Sequence, residues 1–303
     1  MVKALPREAL WSAFHSPRSR TPRGSGREVR GLGQADTAAL VRLVDRNPVA
    51  NVFFAAHLER QGSALSDLPG VETWGYFDAD GDLLAACWVG GNVIPLEADE
   101  EAARAFARRL LERGRGYSSI YGEARSVLPL YQALGSHGFR AREVRACQPL
   151  LALSGPPRIE PSPWVTPSRL SNFDRILPAA VAMFEEEVGY SPLVGGEAFY
   201  RRRVEELIRR EHSLSHCDDR GEVIFKADIG VLSRAVSQIQ GVWIRPADRG
   251  KGLSAGYMAA VVVLAQRLAP VVSLYVNDYN VRARATYETV GFEQVGTFAT
   301  VLF

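Results

Sequence analysis

Residues 242–253 read VWIRPADRGKGL, and this stretch decides how the second half of the chain folds. The apolar run at 242–244 predicts the end of a strand, and the proline and aspartate at 245–248 predict a turn. RGKG follows at 249–252, and the small and apolar residues from about 253 to 268 predict a helix. A strand, a glycine-containing turn and a helix N-terminus together present backbone N–H groups to an anion.

The residue types in this turn favour a phosphate in particular. Gly250 and Gly252 allow the backbone to approach a phosphate closely, and the dipole of the following helix favours negative charge there. Arg249 and Lys251 add positive charge on either side of the first glycine. The sequence therefore predicts a ligand that carries phosphate.

A second motif lies about thirty residues further along the chain. Asn280 precedes the helix predicted at 281–290, where its side chain can cap the first turn, and Gly291 ends that helix. Tyr287 follows Asn280 by about two helical turns, so the two side chains point along one face. Alone, this pair is typical of a packed tyrosine and a helix cap, but the glycine turn upstream favours a shared ligand.

Together the two motifs resemble those of the GNAT superfamily of acyl-CoA-dependent N-acetyltransferases. Residues 249–252 match the start of the family's pyrophosphate loop, R-G-x-G-x-G/A, and Ser254 stands where Gly or Ala is usual. The second family motif, N-x-x-A-x-x-x-Y-x-x-x-G-F, is matched by Asn280, Ala283, Tyr287, Gly291 and Phe292. The resemblance covers residues 161–303, and the whole chain is similar to an actinobacterial subgroup with an N-terminal domain of unknown function.

The resemblance implies a role for each matched position, with acetyl-CoA as the co-substrate. Asn280 would contact the coenzyme arm, and Tyr287 would protonate the departing thiolate, because a phenol with a pKa of ~10 can act as that acid. The backbone of the strand would pair with the pantetheine amides through Val242, Trp243 and Ile244. The amides that would hold the pyrophosphate belong to Arg249, Gly250, Lys251, Gly252, Leu253 and Ser254.

The general base is not fixed by these motifs. Many members of the family place a Glu four residues before the pantetheine-binding triplet, and here that position is Gln238, which cannot accept the proton. Glu186, near the end of the helix predicted at 170–187, is our working candidate for the base. The alternatives are a water relay, Glu185, Glu187 and Asp228.

The composition is that of a globular protein with room for two domains. The chain has 303 residues, of which 47% are hydrophobic and 23% charged. The net charge of +2 argues against a nucleic-acid surface spread over the whole molecule. We expect a basic tail at 1–28, a first domain at 29–153, a proline-rich linker at 154–163 and a second domain at 164–303.

The two halves show the same order of predicted elements. Each ends in strand, helix, short strand, helix, Gly-Phe and strand, with the Gly-Phe pairs at 138–139 and 291–292. This order predicts a diverged internal repeat of one α/β fold with a mixed sheet, that is, two tandem GNAT-like domains.

The first half lacks the coenzyme motif, so we expect that copy to be degenerate. Residues 90–95 (GGNVIP) follow the strand at 85–89 and carry neither the arginine nor the small-residue helix start. Residues 113–116 repeat the letters RGRG, but they lie between a predicted helix and a strand, where glycine favours a helix C-cap.

Other classes of site are disfavoured. The three cysteines are far apart, which argues against a disulfide framework and fits a cytoplasmic protein. No segment has the roughly 18 apolar residues of a membrane span. His212, His216 and Cys217 lack a second pair of ligands, so no metal is expected. The arginines at 201–203 and 209–210 are typical of a solvated helix face, with an acidic acceptor or RNA as the alternative.

The sequence therefore predicts an N-acetyltransferase in which an amine attacks acetyl-CoA directly in a ternary complex. No Cys or Ser lies in a nucleophile arrangement, so no covalent enzyme intermediate is expected. The acceptor can be an amine of a small molecule, a peptide or a protein. The alternative is a regulatory module that binds acyl-CoA without turnover, which Gln238 favours. Neither the acceptor nor the oligomeric state is encoded in these motifs.

Overall fold

One mixed sheet of twelve strands, flanked by eight helices, forms the part of the chain that the computed structural model describes, residues 26–114 and 116–303. The strands are β1 (Glu28–Gly31), β2 (Glu72–Phe77), β3 (Leu83–Val89), β4 (Asn92–Leu96), β5 (Ser119–Glu123), β6 (Glu143–Leu153), β7 (Thr166–Pro167), β8 (Ser213–Cys217), β9 (Val223–Leu232), β10 (Val236–Ile244), β11 (Val271–Tyr275) and β12 (Glu293–Leu302). The helices are α1 (Thr37–Val44), α2 (Val52–Gln61), α3 (Glu100–Arg113), α4 (Ala124–Gly135), α5 (Phe173–Val188), α6 (Glu197–Arg209), α7 (Leu253–Ala265) and α8 (Val281–Val290).

The expected basic tail at 1–28 lies, up to residue 25, outside the described residues. Its predicted end is too late, because Glu28 is the first residue of β1 and lies opposite Phe77 of β2. The two central residues of β1 are partly buried and its two end residues are exposed, which fits a short strand at the edge of the sheet.

The two halves repeat one order of elements, as the sequence predicted. The first half runs β2, β3, β4, α3, β5, α4 and β6, and the second runs β8, β9, β10, α7, β11, α8 and β12. The expected counterpart of the pyrophosphate loop at 90–95 is wrong, because Asn92–Leu96 is the strand β4. The true counterpart is the connection between β4 and α3, residues 97–99.

The last strand of each half pairs with the other half. The order of strands across the sheet is β1-β2-β3-β4-β5-β12-β6-β11-β10-β9-β8-β7. β12 therefore lies against β5, with Phe298 opposite Glu123, while β6 lies against β11, with Leu153 opposite Val272. The predicted boundary at 154–163 divides the chain into two halves but does not divide the sheet. β6 precedes the boundary and β12 follows it, yet each pairs with a strand of the other half, and the two strands also pair with one another.

In the second half, different helices cover the two faces of the sheet. Phe225, Ala227 and Ile229 of β9 belong to the core beneath α7. Because side chains alternate along a strand, Lys226 and Asp228 point to the opposite face, which α5 and α6 cover. Polar groups of β9 are thus placed on the side of the sheet where the cleft described below lies.

Candidate active site

A gap opens in the sheet where β10 and β11 part. Their parallel pairing runs from Val236 to Gln238 and continues no further along β10. A register shift between Gln240 and Trp243 forms a bulge against β9, and Gly241 within it has a φ of 60°, a conformation that favours glycine. The edge of β10 beyond Gln238 therefore faces the gap instead of β11.

The gap continues into a cleft of about 750 Å³. Its walls come from α5, α6 and their connection at 189–196, from β10 and β11, and from the segment that leads into α8. Aromatic side chains form much of the lining: Phe184, Tyr190, Phe199, Tyr200, Trp243, Tyr275, Tyr279 and Tyr287. The cleft is large enough for a coenzyme arm and an acceptor together.

The loop before α7 has the backbone of an anion site. Gly250 and Gly252 have φ values of 79° and 74°, so both adopt the left-handed conformation that glycine permits. Within the described residues no side chain caps α7, whereas Asp99 caps α3 and Asn280 caps α8. The first amides of α7 are therefore not occupied by a capping side chain and can donate to a ligand.

The cations of this loop are paired with carboxylates. Arg249 Nη2 donates to both oxygens of Glu186, at 2.8 and 2.7 Å. Lys251 Nζ donates to Asp248 at 2.6 Å, and Arg245 donates to the other oxygen of the same carboxylate at 2.5 Å. The expected positive charge is thus offset, and the attraction for phosphate rests chiefly on the backbone amides and the helix dipole.

Asn280 and Tyr287 both line the cleft. Asn280 Oδ1 accepts from the N–H of Ala283 at 3.2 Å, which confirms the predicted helix cap. Tyr287 is 6% exposed, and burial raises its pKa, with the negative charge of Glu187 as a second cause. Its phenol therefore stays protonated at neutral pH, the form that can donate a proton.

Glu186 reaches the cleft but is held by two donors. Besides the guanidinium of Arg249, the indole Nε1 of Trp243 donates to Glu186 Oε1 at 3.1 Å. These donors occupy the carboxylate oxygens of Glu186, so the oxygens are engaged by the protein instead of being open to an acceptor amine. This pairing argues against the expected role of Glu186 as the general base.

Glu187, the next residue, points into the cleft. Its side chain is 51% exposed and forms part of the cleft lining. Burial raises the pKa of Glu187, while the charge of Arg145 acts to lower it and that of Glu143 to raise it. Its negative charge acts on three phenols of the cleft, those of Tyr200, Tyr275 and Tyr287.

Of the two other glutamate and aspartate candidates, Glu185 is not among the residues that line the cleft, and Asp228 is already paired. Gln238, the position where a Glu is usual, lies away from the cleft as well. Gln238 is 7% exposed and faces a separate cavity of about 20 Å³ against the start of α2. Asp228 does line the large cleft, but its Oδ2 accepts from the buried ammonium of Lys226 at 2.6 Å. That ion pair occupies one oxygen of a nearly buried carboxylate, so Asp228 is a weaker candidate for a base than Glu187.

β6 brings two further side chains to the site, neither of which we expected. Gln148 lines the cleft and donates to Asn277 Oδ1 at 2.8 Å, and Arg145 donates to the main-chain oxygen of Glu187 at 2.6 Å. Both precede the linker and belong to no recognisable motif. No local signal marks them, because only the exchange of strands brings β6 to the second half.

The corresponding site of the first half is closed. The carboxylate of Asp99 accepts from the amides of Glu101 and Ala102 at 3.0 and 2.8 Å, the groups that a phosphate would use. Glu97 in the same connection pairs with Arg125 at 2.6 Å. An acidic side chain therefore fills the anion site of this half, in agreement with its expected degeneracy.

The remaining sequence signals have structural explanations. Gly114 is the C-cap of α3 with a φ of 82°, which confirms the predicted role of that glycine. His216 Nδ1 lies 2.8 Å from the hydroxyl of Tyr257. Within residues 26–114 and 116–303, no three metal-ligating side chains cluster, and no helix is long and apolar enough to cross a membrane.

The arginines of α6 and its C-cap, Arg210, differ in their surroundings. Arg209 and Arg210 each pair with a glutamate one turn earlier, at 2.6 Å, as on an ordinary solvated helix face. Arg203, in contrast, is exposed and lines the cleft. It adds a positive charge to an otherwise acidic and aromatic lining.

Comparison with known families and structures supports the fold. Residues 71–176 match a family described as a domain of unknown function (DUF4081), a match that runs from β2 across the linker into α5. No curated protein matches the sequence.

Several solved structures share the architecture over most of their length. A GCN5-related N-acetyltransferase from Sphaerobacter thermophilus is 17% identical with a TM-score of 0.60, covering 93% of this chain and 95% of its own. A GNAT-family acetyltransferase from Colwellia psychrerythraea is 11% identical with a TM-score of 0.55, covering 91% and 99%. A tandem GNAT protein from the clavulanic acid biosynthesis pathway is 13% identical with a TM-score of 0.53, covering 90% and 98%. The fold of this chain is thus the tandem GNAT fold.

Proposed function

We propose that the protein is an acyltransferase that moves an acetyl group from acetyl-CoA to an amine, with the coenzyme bound by the second half. The observation that carries the proposal is the parting of β10 from β11 beside the uncapped N-terminus of α7. An exposed strand edge and a row of helix amides suit the two polar parts of coenzyme A, its pantetheine amides and its pyrophosphate.

Each part of the coenzyme has a place in this arrangement. The pantetheine arm would extend along the edge of β10 at Val242, Trp243 and Ile244, as an additional strand. The pyrophosphate would accept hydrogen bonds from the amides of residues 249–254. The thioester would then lie near the bulge at Gly241, between the side chains of Tyr287 and Glu187.

The reaction that this geometry supports is a direct attack. The acceptor nitrogen forms a bond to the thioester carbon, the carbon–sulfur bond breaks, and the amide and coenzyme A leave. Glu187 takes the proton that the nitrogen loses, and Tyr287 gives its proton to the departing thiolate. We assign the base to Glu187 because its carboxylate lines the cleft and its pKa is raised, whereas the carboxylate of Glu186 is paired with Arg249.

The lining of the cleft favours an acceptor with an apolar body. Exposed apolar side chains lie around its mouth, at Tyr190, Val194, Phe199 and Tyr279. Its carboxylates, in contrast, already face Arg249, Arg145 and Lys226. A polyamine would therefore find little unpaired negative charge, while an amine on an aromatic or aliphatic body would bury apolar surface.

Calorimetry with acetyl-CoA tests the coenzyme site. We expect the wild-type protein to bind acetyl-CoA, and Gly252→Val to bind it far more weakly, because a β-branched side chain strains the left-handed turn of the loop. Gly62→Val is the matched control, since Gly62 ends α2 in the same conformation away from the loop. A wild-type protein that does not bind acetyl-CoA refutes the proposal.

Transfer assays with a panel of amines separate an enzyme from a regulatory module. We expect acetylation of aromatic and aliphatic amines, with polyamines as poor acceptors. Glu187→Gln should lower kcat by about 10²-fold or more, while Glu185→Gln at the same helix end should leave it unchanged. Binding of acetyl-CoA without transfer to any amine would support the regulatory alternative.

A further inference from the structure

We infer that Arg145, on the strand that the first half places in the second, is a positioning residue for Glu187. The inference rests on the proposed function, since it assumes that Glu187 is the base. It gives the first half, which has no open anion site of its own, a direct part in the proposed reaction.

Arg145 lies at the right place because of the strand exchange. It is opposite Thr300 in the β6–β12 pair, where the sheet passes beneath the C-terminal end of α5. The residue is 8% exposed, so its guanidinium is enclosed by protein and must be paired. Its partners are Glu143 on the same strand and Glu187 on α5.

Two contacts with Glu187 fix the position of that residue. Arg145 Nη2 donates to the main-chain oxygen of Glu187 at 2.6 Å, and Nη1 lies 3.6 Å from the carboxylate oxygen Oε1. The first contact satisfies a carbonyl of the last helical turn, where a cation is also favoured by the helix dipole. The second holds the carboxylate by charge while leaving it accessible from the cleft.

Arg142, which lies just before β6, is a suitable comparison for Arg145 because it also contacts the end of α5. Its Nη2 donates to the main-chain oxygen of Val188 at 3.3 Å, and its guanidinium lies over the ring of Tyr190. It thus helps to hold the end of α5 without a contact to the Glu187 carboxylate. A substitution at Arg142 therefore reports on loosening of the helix end alone.

Several ionisable groups lie around Glu187: Arg145 and Glu143 of β6, Tyr200 of α6, Tyr275 of β11, Tyr287 of α8 and the neighbouring Glu186. Two of these groups have opposite effects on the pKa of Glu187. Arg145 acts to lower the pKa of Glu187, and Glu143 acts to raise it. A base is active when deprotonated, so activity falls as the pH drops through its pKa.

The test is the pH dependence of kcat/KM for acetyl transfer by the full chain. Arg145→Met should move the acid limb to higher pH, and Glu143→Gln should move it to lower pH. Arg145→Lys keeps the charge but not the two-pronged geometry, so it should lower kcat with a smaller movement of the limb. Arg142→Met, the matched control, should leave the limb in place.

The outcomes distinguish the two levels of the proposal. If Glu187→Gln abolishes transfer while Arg145→Met and Glu143→Gln leave the acid limb unmoved, Arg145 has no positioning role and the proposed function stands. If Glu187→Gln transfers at the wild-type rate, Glu187 is not the base, and the inference falls with that assignment. Should Arg145→Met fail to fold, Arg145→Lys, which keeps the buried charge, decides the matter: a wild-type kcat in that variant would remove the positioning role of Arg145.

Discussion

The side chain of Tyr287 is buried between the core of α8 and the cleft, with its phenol held protonated. Replacing it by Phe removes one hydroxyl and keeps the packing of the ring against Phe292. We expect Tyr287→Phe to lower kcat by about 10²-fold, since general acid catalysis is worth at least this much, with little change in the Kd of acetyl-CoA. Steady-state kinetics and calorimetry measure the two quantities, and unchanged turnover would remove Tyr287 from the chemistry.

Glu186 pairs with Arg249 in the loop where we propose that the pyrophosphate binds, so under that proposal it competes with the coenzyme. The pair is about half exposed on both sides, so its contribution is small, roughly 1 kcal/mol or less. Glu186→Gln should therefore tighten acetyl-CoA binding by up to about fivefold, measured by calorimetry. Glu185→Gln is the control, and a pantetheine without pyrophosphate should show no such gain. Weaker binding of acetyl-CoA by Glu186→Gln would contradict the competition.

At the level of single residues, the sequence predicted the features that depend only on neighbouring positions in the chain. The cap at Asn280 and the glycine turn at 250–252 depend on neighbours within one turn, so their residue types were sufficient. Which glutamate of the three at the end of α5 faces the cleft was not predictable. Adjacent helical residues differ by about 100° in direction, and the partner of Glu186 is 63 residues away in the chain.

The bulge in β10 is the element that shapes the gap. A Cβ on Gly241 would lie 3.0 Å from Met183 Cε and 3.2 Å from Asp228 Oδ2, in addition to the strain of a positive φ. Gly241→Ala should cost about 1–2 kcal/mol of unfolding free energy through that strain, and should also raise the KM for acetyl-CoA.

Gly62→Ala is the control for the Gly241 variant. It has a similar φ of 67° with open space around the added Cβ, so it should show a similar loss in urea unfolding and a normal KM. An unchanged KM for Gly241→Ala would show that the bulge does not position the coenzyme.

Most elements followed from hydrophobic periodicity and turn residues, but β4 did not. Its sequence, NVIPL, contains a proline, which argues against the interior of a sheet. The structure explains the exception: β4 pairs with β5 only through Asn92 and Val93, so beyond Val93 it is an edge on that side. Pro95 lies in this part of the strand, where proline is tolerated.

Each half of the chain needs a strand from the other half to complete its part of the sheet. A fragment of residues 164–303 lacks β6, which separates β11 from β12 in the complete chain. We expect this fragment alone to be insoluble or to lack a cooperative unfolding transition, and co-expression with residues 26–163 to restore a folded complex. Circular dichroism during heating checks both, and a cooperative fragment would show that β12 can return to its own half.

The strand exchange was the largest feature that the sequence did not reveal. The repeat predicted two similar units, and it did not indicate which of β6 and β12 lies beside β5 and which beside β11. Strand order is set by pairing across more than a hundred residues, for which a local pattern carries no information. The predicted division at 154–163 therefore separates the two repeats along the chain, but both repeats contribute strands to one sheet.

The exchange also has a consequence for biosynthesis. Among the described strands, β12 is the last to be translated, yet it fills the space between β5 and β6 near the middle of the sheet. Until it emerges from the ribosome, both neighbours present unpaired edges, which are prone to pair with other chains. Domains generally fold in the order in which they are made. Here the first half would instead wait for the end of translation, and a chaperone that shields open strand edges would be needed most in that interval.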